Sequence, residues 1–130
     1  TTSHTCEAAF LGVNVPKNNS VMFGSLAGTS MGIWVAHGEG RFSLPLAEEN
    51  YNIVAKYNYS GYPANPNGSV YNIAGIASAD GRHVAMMPHL ERCIFPWQCG
   101  TYPAGRLHSD EVTPWVEAFV NARYWCQKKA

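Results

Sequence analysis

The sequence predicts part of an α/β or α+β domain, on the basis of three observations. Short apolar runs that end at turn residues indicate β-strands. An Asp-Gly pair between two of these runs indicates a hairpin, because both residues tolerate positive φ. The C-terminal segment has apolar residues at helical spacing, and no complete β-α-β alternation is present. The chain has 130 residues, 46% of them hydrophobic, which is enough for one domain with a buried core.

Five segments have the composition of short strands. They are residues 7–15, 31–36, 53–59, 73–78 and 83–88. The last two flank Asp80-Gly81 and are predicted to pair as the hairpin. Residues 62–69 (YPANPNGS) are dense in Pro, Asn and Gly, so we expect either an ordered turn or a mobile loop there.

The last predicted element is a helix that begins near Thr113. Thr113 suits the N-cap and Pro114 suits the first helical position. Four side chains then recur at helical spacing and are expected to face the core. They are Trp115, Phe119, Ala122 and Cys126.

Charge and composition disfavour several classes of function. Nine basic residues balance nine acidic ones without a Lys/Arg cluster, which argues against a nucleic-acid or anionic-membrane surface. No apolar run approaches the roughly 20 residues that cross a bilayer. Residues 1–10 have no signal-peptide pattern. Because the chain starts at Thr1 without a methionine, we expect it to be processed or cut from something longer.

The four cysteines leave the compartment open at first. Together with sequons at Asn18, Asn58 and Asn67, they are compatible with a secreted, disulfide-bonded, non-catalytic binding module. The cysteines are sparse for such a scaffold, however, and sequons arise often by chance. A reduced, cytoplasmic protein is therefore the favoured prediction.

His89 and Glu91 are the strongest candidates for catalysis. In extended backbone, residues two apart point to the same side, so the Glu91 carboxylate can reach the His89 imidazole. Such a carboxylate orients the ring and stabilises the imidazolium that forms when histidine takes a proton. The pair follows a predicted strand, where open α/β sheets place their sites. The simpler alternative is an exposed ion pair.

A zinc site is the main competing chemistry. Zinc deaminases combine H-x-E with a downstream P-C-x-x-C, but Cys93 and Cys99 are too widely spaced for that motif. A nucleophile for the His–Glu pair is also hard to find. None of the cysteines lies in G-x-C-x-G and no serine lies in G-x-S-x-G, the usual strained turns that present such a group.

Three further residues are candidates for the substrate side of the site. His37, in His37-Gly38-Glu39-Gly40-Arg41, lies on a loop that would contact substrate or support His89. Asn65 and Asn67 have side chains that hydrogen-bond an amide or a carboxylate. The simpler alternatives are a glycine turn with His37 bound to a backbone carbonyl, and plain turn chemistry for the asparagines.

Four ordered motifs together resemble one family. They are HGEGR (37–41), YPANPNGS (62–69), DGRHVAMMPHLER (80–92) and PWVEAFVNAR (114–123). In this order they resemble the C-terminal end of the large, single-chain phosphoribosylformylglycinamidine synthases, within their class I glutamine amidotransferase domain. The segment EAAFLGVNVPKNNSVMFGSLAG also resembles the part that precedes HGEGR. The resemblance covers nearly the whole chain.

The resemblance implies a partial α/β, flavodoxin-like amidotransferase domain with strands, a hairpin and a C-terminal helix. Residues 1–130 would be its C-terminal part. The family hydrolyses glutamine with a Cys-His-Glu triad, and its histidine and glutamate match His89 and Glu91. Its cysteine lies in an upstream G-x-C-N-G-like turn that this chain lacks, so the chain alone is expected to be inactive. Leu90 replaces the middle proline of the family's P-H-P-E-R, which removes a fixed φ between the two catalytic residues.

The resemblance also implies partners. Glutamine would be the substrate, and ammonia would pass to a synthetase domain that uses ATP and Mg²⁺ to convert formylglycinamide ribonucleotide to the amidine in purine biosynthesis. No cofactor or metal is expected in this chain itself. The partner would be the remainder of the same polypeptide. Because a truncated domain exposes sheet edges and apolar faces, we also expect some self-association.

Overall fold

The computed structural model describes residues 4–129; Thr1, the start of the chain, lies outside them. Five strands and one α-helix follow one another along the chain. They are β1 (Glu7–Asn14), β2 (Ser30–His37), β3 (Asn52–Tyr57), β4 (Ile73–Ala77), β5 (Val84–Met86) and α1 (Val116–Lys129). The five predicted strands are confirmed, with bounds that differ by a few residues. The described helix is neither long nor apolar enough to cross a membrane.

All five strands belong to one antiparallel sheet with the order β2-β1-β3-β4-β5. β1 and β2 pair over their full length, whereas β1 and β3 pair only at the end of β1. After β5 the chain returns to the opposite edge, where His89 forms a bridge to Trp34 of β2. The sheet is therefore a half-barrel, and this closure places His89 beside β2.

The predicted hairpin joins β4 and β5, with Gly75 opposite Met86 and Ala77 opposite Val84. Its tip packs on the loop after β1, where the backbone N–H of Val21 donates to the carbonyl of Gly81 at 2.9 Å. Gly81 has φ 72°, and a Cβ there would lie 2.2 Å from the carbonyl oxygen of Asn19. Both the turn and the close approach therefore require glycine.

The core lies between the sheet and the start of the helix. Its largest fully buried side chains come from the strands, the loop after β1 and the residue before the helix. They are Val13, Phe23, Leu26, Ile33, Val35, Val54, Ile73 and Trp115. The Trp115 indole packs edge-on against Phe23 and donates to the carbonyl of Gly32 at 2.8 Å. This one side chain ties the helix to β2.

The start of the helix differs from the prediction. The helix begins at Val116, and the Thr113 hydroxyl donates to the carbonyl of Cys93 at 2.6 Å instead of capping the first turn. The Thr113 N–H donates to the carbonyl of Ile94 at 2.7 Å. Thr113 therefore joins the start of the helix to residues 93–94, which follow the His–Glu pair. This long-range contact replaces the local helix cap that the sequence predicted.

The phase of the helix was also partly wrong. Phe119, which was expected in the core, is 44% exposed, and Cys126 is exposed as well. Ala118 is fully buried, and Trp125 is half-buried beneath the Arg82 guanidinium, which lies 5.1 Å from its ring centroid. Trp115 is buried as predicted, but Ala118 and Trp125 face inward one position before the predicted Phe119 and Cys126.

Candidate active site

His89 and Glu91 meet as the spacing predicts. Nδ1 of His89 lies 2.8 Å from Oε1 of Glu91. His89 has extended backbone (φ −114°, ψ 90°) and is followed by a short 3-10 turn at Leu90–Arg92, which folds the carboxylate back onto the ring. Both side chains are accessible, with 33% of His89 and 58% of Glu91 exposed. Binding of Nδ1–H to the carboxylate leaves Nε2 as the proton acceptor of a neutral ring.

The electrostatics of the pair favour an ionised carboxylate. Partial burial alone raises the pKa of Glu91, but the hydrogen bond from His89 and the nearby charges outweigh it, so the pKa lies below its usual value. One of those charges is Arg92, whose Nε lies 3.8 Å from Oε1 of Glu91. Glu91 is therefore a charged acceptor at neutral pH, as an orienting carboxylate must be.

The backbone of β2 holds the pair in place. The N–H of His89 donates to the carbonyl of Trp34 at 2.8 Å, and the Trp34 indole donates to the carbonyl of Gln98 at 2.7 Å. Residues 89 and 98 are thus both fixed to one residue of the strand. Phe10 stacks at a tilt on Trp34, with ring centroids 5.1 Å apart. Sequence reasoning missed Trp34, because nothing local marks it as the partner of a residue so far along the chain.

Leu90, between the two candidate catalytic residues, is partly buried against the hydrophobic core. Its carbonyl accepts hydrogen bonds from the Cys93 N–H at 3.1 Å and from the Cys93 thiol at 3.3 Å. Packing and these hydrogen bonds hold the short turn without a proline ring.

Cys93 is unsuited to be the nucleophile for this pair. It is fully buried, and burial raises the pKa of its thiol to about 12. Burial also raises the pKa of Cys99, whose thiol lies 3.7 Å from the carbonyl of Phe95. All four cysteines are free thiols, and Cys6 and Cys126 are exposed.

His37 ends β2 and is only 3% exposed. Its Nε2 is buried and has no hydrogen-bond partner within the described part of the chain. Burial lowers the pKa of His37, and the charge of His89 lowers it further. Both effects favour the neutral form of the His37 imidazole.

Asn65 and Asn67 have different environments. The Asn65 amide donates to the carbonyl of Ser69 at 2.8 Å and to Oδ1 of Asn72 at 3.1 Å, and its Oδ1 accepts from the Ser69 N–H at 3.0 Å. Its polar groups therefore close their own turn, which favours turn chemistry. The Asn67 amide instead donates to the carbonyl of Gly40, on the loop that follows His37. Because Asn67 is buried, its sequon is a poor glycan acceptor in this fold.

Three segments meet near the end of β2. The Ser69 hydroxyl accepts from the N–H of Phe42 at 3.0 Å, and the carbonyl of Phe42 accepts from the N–H of Val70 at 3.2 Å. Gly40 lies against Met87, since a Cβ at Gly40 would be 2.8 Å from Cε of Met87. The HGEGR loop is thus held between the 62–70 segment and the residues that lead into His89. Ser69 and Met87 were missed because their role depends on these long-range contacts.

Two other kinds of site are relevant to the described part of the chain, a metal site and a cavity. Within residues 4–129, no three His, Cys, Asp or Glu side chains come together as a metal site. The zinc alternative therefore finds no cluster of three such ligands within residues 4–129. A cavity of about 450 Å³ lies near the start of β2, lined by residues that include Ser30, Tyr102, Arg106 and Trp115. His89 and Glu91 are not among its lining residues.

Comparisons with known proteins show which family this chain resembles. The sequence matches the CobB/CobQ-like glutamine amidotransferase domain over residues 1–126. It is 39% identical to a phosphoribosylformylglycinamidine synthase of Drosophila melanogaster, over 97% of this chain and 10% of that protein. A probable chloroplastic/mitochondrial phosphoribosylformylglycinamidine synthase of Arabidopsis thaliana is 38% identical, over 93% of this chain and 10% of that protein.

A solved structure shows the same fold. One chain in the structure of PurLQS from Thermotoga maritima matches with a TM-score of 0.70 and 21% identity, over 96% of this chain and 50% of that chain. The protein therefore belongs to the CobB/CobQ-like glutamine amidotransferase domain family. The resemblance drawn from the motifs is confirmed, as is a partial amidotransferase fold with strands, a hairpin and a C-terminal helix. The chain spans about a tenth of the length of these curated relatives.

Proposed function

We propose that this chain is the C-terminal part of a glutaminase domain that supplies ammonia within a phosphoribosylformylglycinamidine synthase. The observation that carries the proposal is the 2.8 Å contact between His89 and Glu91 in a glutamine amidotransferase family member. The whole enzyme would use this ammonia, with ATP, to convert formylglycinamide ribonucleotide to the amidine in purine biosynthesis. The similarity to relatives with that name supports this assignment.

In the proposed mechanism, His89 moves the protons. Its Nε2 takes the proton of a cysteine thiol as the sulfur attacks the carboxamide carbon of glutamine. The resulting imidazolium gives that proton to the departing ammonia when the C–N bond breaks, leaving a thioester. A water molecule, deprotonated by the same ring, then attacks the thioester carbon. The C–S bond breaks, the imidazolium returns its proton to the sulfur, and glutamate is released. Proton transfer of this kind contributes about 10²–10⁴ to the rate.

Glu91 would hold the ring in the tautomer that this sequence of steps needs. With Nδ1–H bound to the carboxylate, Nε2 is free to accept the thiol proton, and the ionised Glu91 stabilises the imidazolium that forms. The lowered pKa of Glu91 fits this role, because a protonated carboxyl group would not stabilise a positive ring.

The nucleophile would come from outside this chain. Cys93, the cysteine nearest in sequence to the pair, is buried with a strongly raised pKa, and no cysteine of the chain lies in a glycine-flanked turn. Residues 1–130 would thus be the part of the domain that carries the base and its orienting carboxylate. Loss of a triad nucleophile costs on the order of 10⁶ in rate, so we expect the chain alone to be inactive.

The HGEGR loop is the proposed substrate side of the site. Gly38, Glu39, Gly40 and Arg41 are exposed, and they follow the buried His37 that interacts with His89. We assign Asn67 to this side through its bond to Gly40, whereas Asn65 serves the turn. The proposed partners are glutamine and the remainder of a longer cytoplasmic polypeptide, whose synthetase portion would bind ATP and Mg²⁺.

The direct test compares this chain with the complete reading frame that encodes it. Ammonia release from glutamine is measured for both proteins at equal molar concentration. We expect release by the product of the complete reading frame and none above background by the 130-residue chain. Glutamine-dependent release by the chain alone, abolished in the His89→Ala variant, would show that the nucleophile lies within it and overturn the assignment.

A further inference from the structure

The bond from Asn67 to Gly40 is a long-range contact between two loops. An asparagine that only shapes a turn bonds its own backbone a few residues away, as Asn65 does through Ser69. The Asn67 amide instead reaches a carbonyl 27 residues earlier in the chain. Asn67 is 3% exposed, although Gly40 itself is exposed. Local turn formation therefore does not account for this side chain.

Gly40, the residue that Asn67 holds, lies next to the segment that leads into His89. It has φ 104° and packs against Met87, two residues before His89. The N–H of Met87 donates in turn to the carbonyl of Ala74 in β4 at 2.9 Å. Two contacts at Gly40 thus set the position of the exposed loop relative to the His–Glu pair. One is the hydrogen bond from Asn67, and the other is the packing against Met87.

A second contact holds the same loop. The Ser69 hydroxyl accepts from the N–H of Phe42 at 3.0 Å, and Ser69 is itself buried. Asn67 therefore bonds the loop at Gly40, and Ser69 bonds Phe42, the residue that directly follows the loop. Neither side chain contacts His89 or Glu91 in these hydrogen bonds, so an effect of either residue on the reaction would have to pass through the loop.

We propose that Asn67 is a positioning residue for glutamine binding, which acts by fixing the Gly38–Arg41 loop beside the His89–Glu91 pair. This inference rests on the proposed function. A group that shapes the binding wall without touching the reacting atoms affects ground state and transition state alike. Its loss therefore raises KM for glutamine and leaves kcat nearly unchanged.

The test uses the complete enzyme and the variants Asn67→Ala, Ser69→Ala and Ser69→Thr. We expect Asn67→Ala to raise KM for glutamine about tenfold with kcat within about threefold. Ser69→Ala should raise KM in the same direction, and Ser69→Thr should restore it because threonine keeps the hydroxyl. Amide hydrogen exchange at Phe42 should be faster in both alanine variants and normal in Ser69→Thr.

Asn121→Ala is the matched control. Asn121 also holds a loop with its side-chain amide, which donates to the carbonyl of Met22 at 3.0 Å and to the Ser25 hydroxyl at 2.6 Å. It lies on α1, and both of its hydrogen bonds go to the loop after β1 and not to the HGEGR loop. We expect a lower Tm for this variant and a KM for glutamine equal to that of the wild type.

The possible outcomes separate this inference from the function on which it rests. If His89→Ala abolishes glutamine hydrolysis while Asn67→Ala and Ser69→Ala keep the wild-type KM, the positioning role is wrong and the proposed function stands. If His89→Ala hydrolyses glutamine normally, both are wrong. If Asn67→Ala does not fold, the two Ser69 variants decide. A KM for glutamine that is raised in Ser69→Ala and equal to the wild-type value in Ser69→Thr supports the positioning of the loop by residues 67 and 69. An unchanged KM in Ser69→Ala overturns it.

Discussion

The backbone N–H of His89 donates to the carbonyl oxygen of Trp34 across 2.8 Å, and this bond joins the two ends of the half-barrel. It brings a residue from the end of the hairpin to the edge of β2, three residues before His37. The candidate base, the neutral His37 and the HGEGR loop are together because the sheet closes at this point. The site is therefore a consequence of topology, not of one local motif.

Glu91→Gln tests the orienting carboxylate. In the complete enzyme we expect kcat for glutamine hydrolysis to fall by about 10²–10⁴, because the amide neither stabilises the imidazolium nor fixes the required tautomer. KM should change by less than about threefold. The measurement is steady-state ammonia release, with the exposed Glu49→Gln as the control at wild-type activity. Equal kcat values for Glu91→Gln and the wild type would refute the role given to Glu91.

The buried His37 predicts a pH dependence of stability. Its pKa is lowered in the folded state, so below the ordinary value of 6.5 the unfolded chain binds the proton more readily than the folded one. His37 therefore costs no stability well above pH 6.5 and destabilises the fold progressively as the pH falls through that value. We expect His37→Gln to flatten the decline in unfolding free energy between about pH 7.5 and 5.5.

The measurement for His37 is urea unfolding at a series of pH values. The matched control is His108→Gln, since His108 is exposed, and its curve should run parallel to that of the wild type. A His37→Gln curve with the full wild-type slope would show that another group causes the decline.

The cysteines should differ in reactivity. Iodoacetamide at pH 8 attacks thiolates, and burial raises the pKa of Cys93 to about 12. We therefore expect rapid labelling of the exposed Cys6 and Cys126, and none at Cys93 until the protein is unfolded. Peptide mass spectrometry before and after denaturation checks this. Fast labelling of Cys93 in the folded chain would contradict its burial and reopen it as a nucleophile.

Gly81→Ala tests the hairpin that leads to the site. The added Cβ would meet the Asn19 carbonyl at 2.2 Å in a residue with φ 72°. We expect a loss of about 1–3 kcal/mol in unfolding free energy, measured by chemical denaturation. Gly105→Ala is the control, because Gly105 has open space around it and no positive φ. Equal stability of the two variants would show that the hairpin tip is not packed as described.

The sequence predicted those features that local chemistry decides. Asp80-Gly81 marked the hairpin because the turn needs positive φ, and the spacing of His89 and Glu91 was enough to predict their contact. Helical periodicity predicted the helix but not which of its faces is buried. Ala118 and Phe119 are both apolar neighbours, and only the position of the sheet decides which of them faces the core. Long-range hydrogen bonds could not be predicted.

Thr113 shows how such a contact overrides a local preference. Its hydroxyl suits a helix cap, yet it donates to Cys93, 20 residues away in the chain. The Asn67–Gly40 and His89–Trp34 bonds are also long-range contacts, and they connect segments of the candidate site. In each case the partner lies 20 or more residues away in the chain, a separation that periodicity and turn signals do not encode.

We propose His89 as the base of a glutaminase. The most direct measurement is ammonia release from glutamine by the complete enzyme and by its His89→Ala variant, with both proteins shown to be folded. We expect the kcat of the variant to be at least about 10²-fold lower than that of the wild type. A variant that releases ammonia within about threefold of the wild-type rate would contradict it.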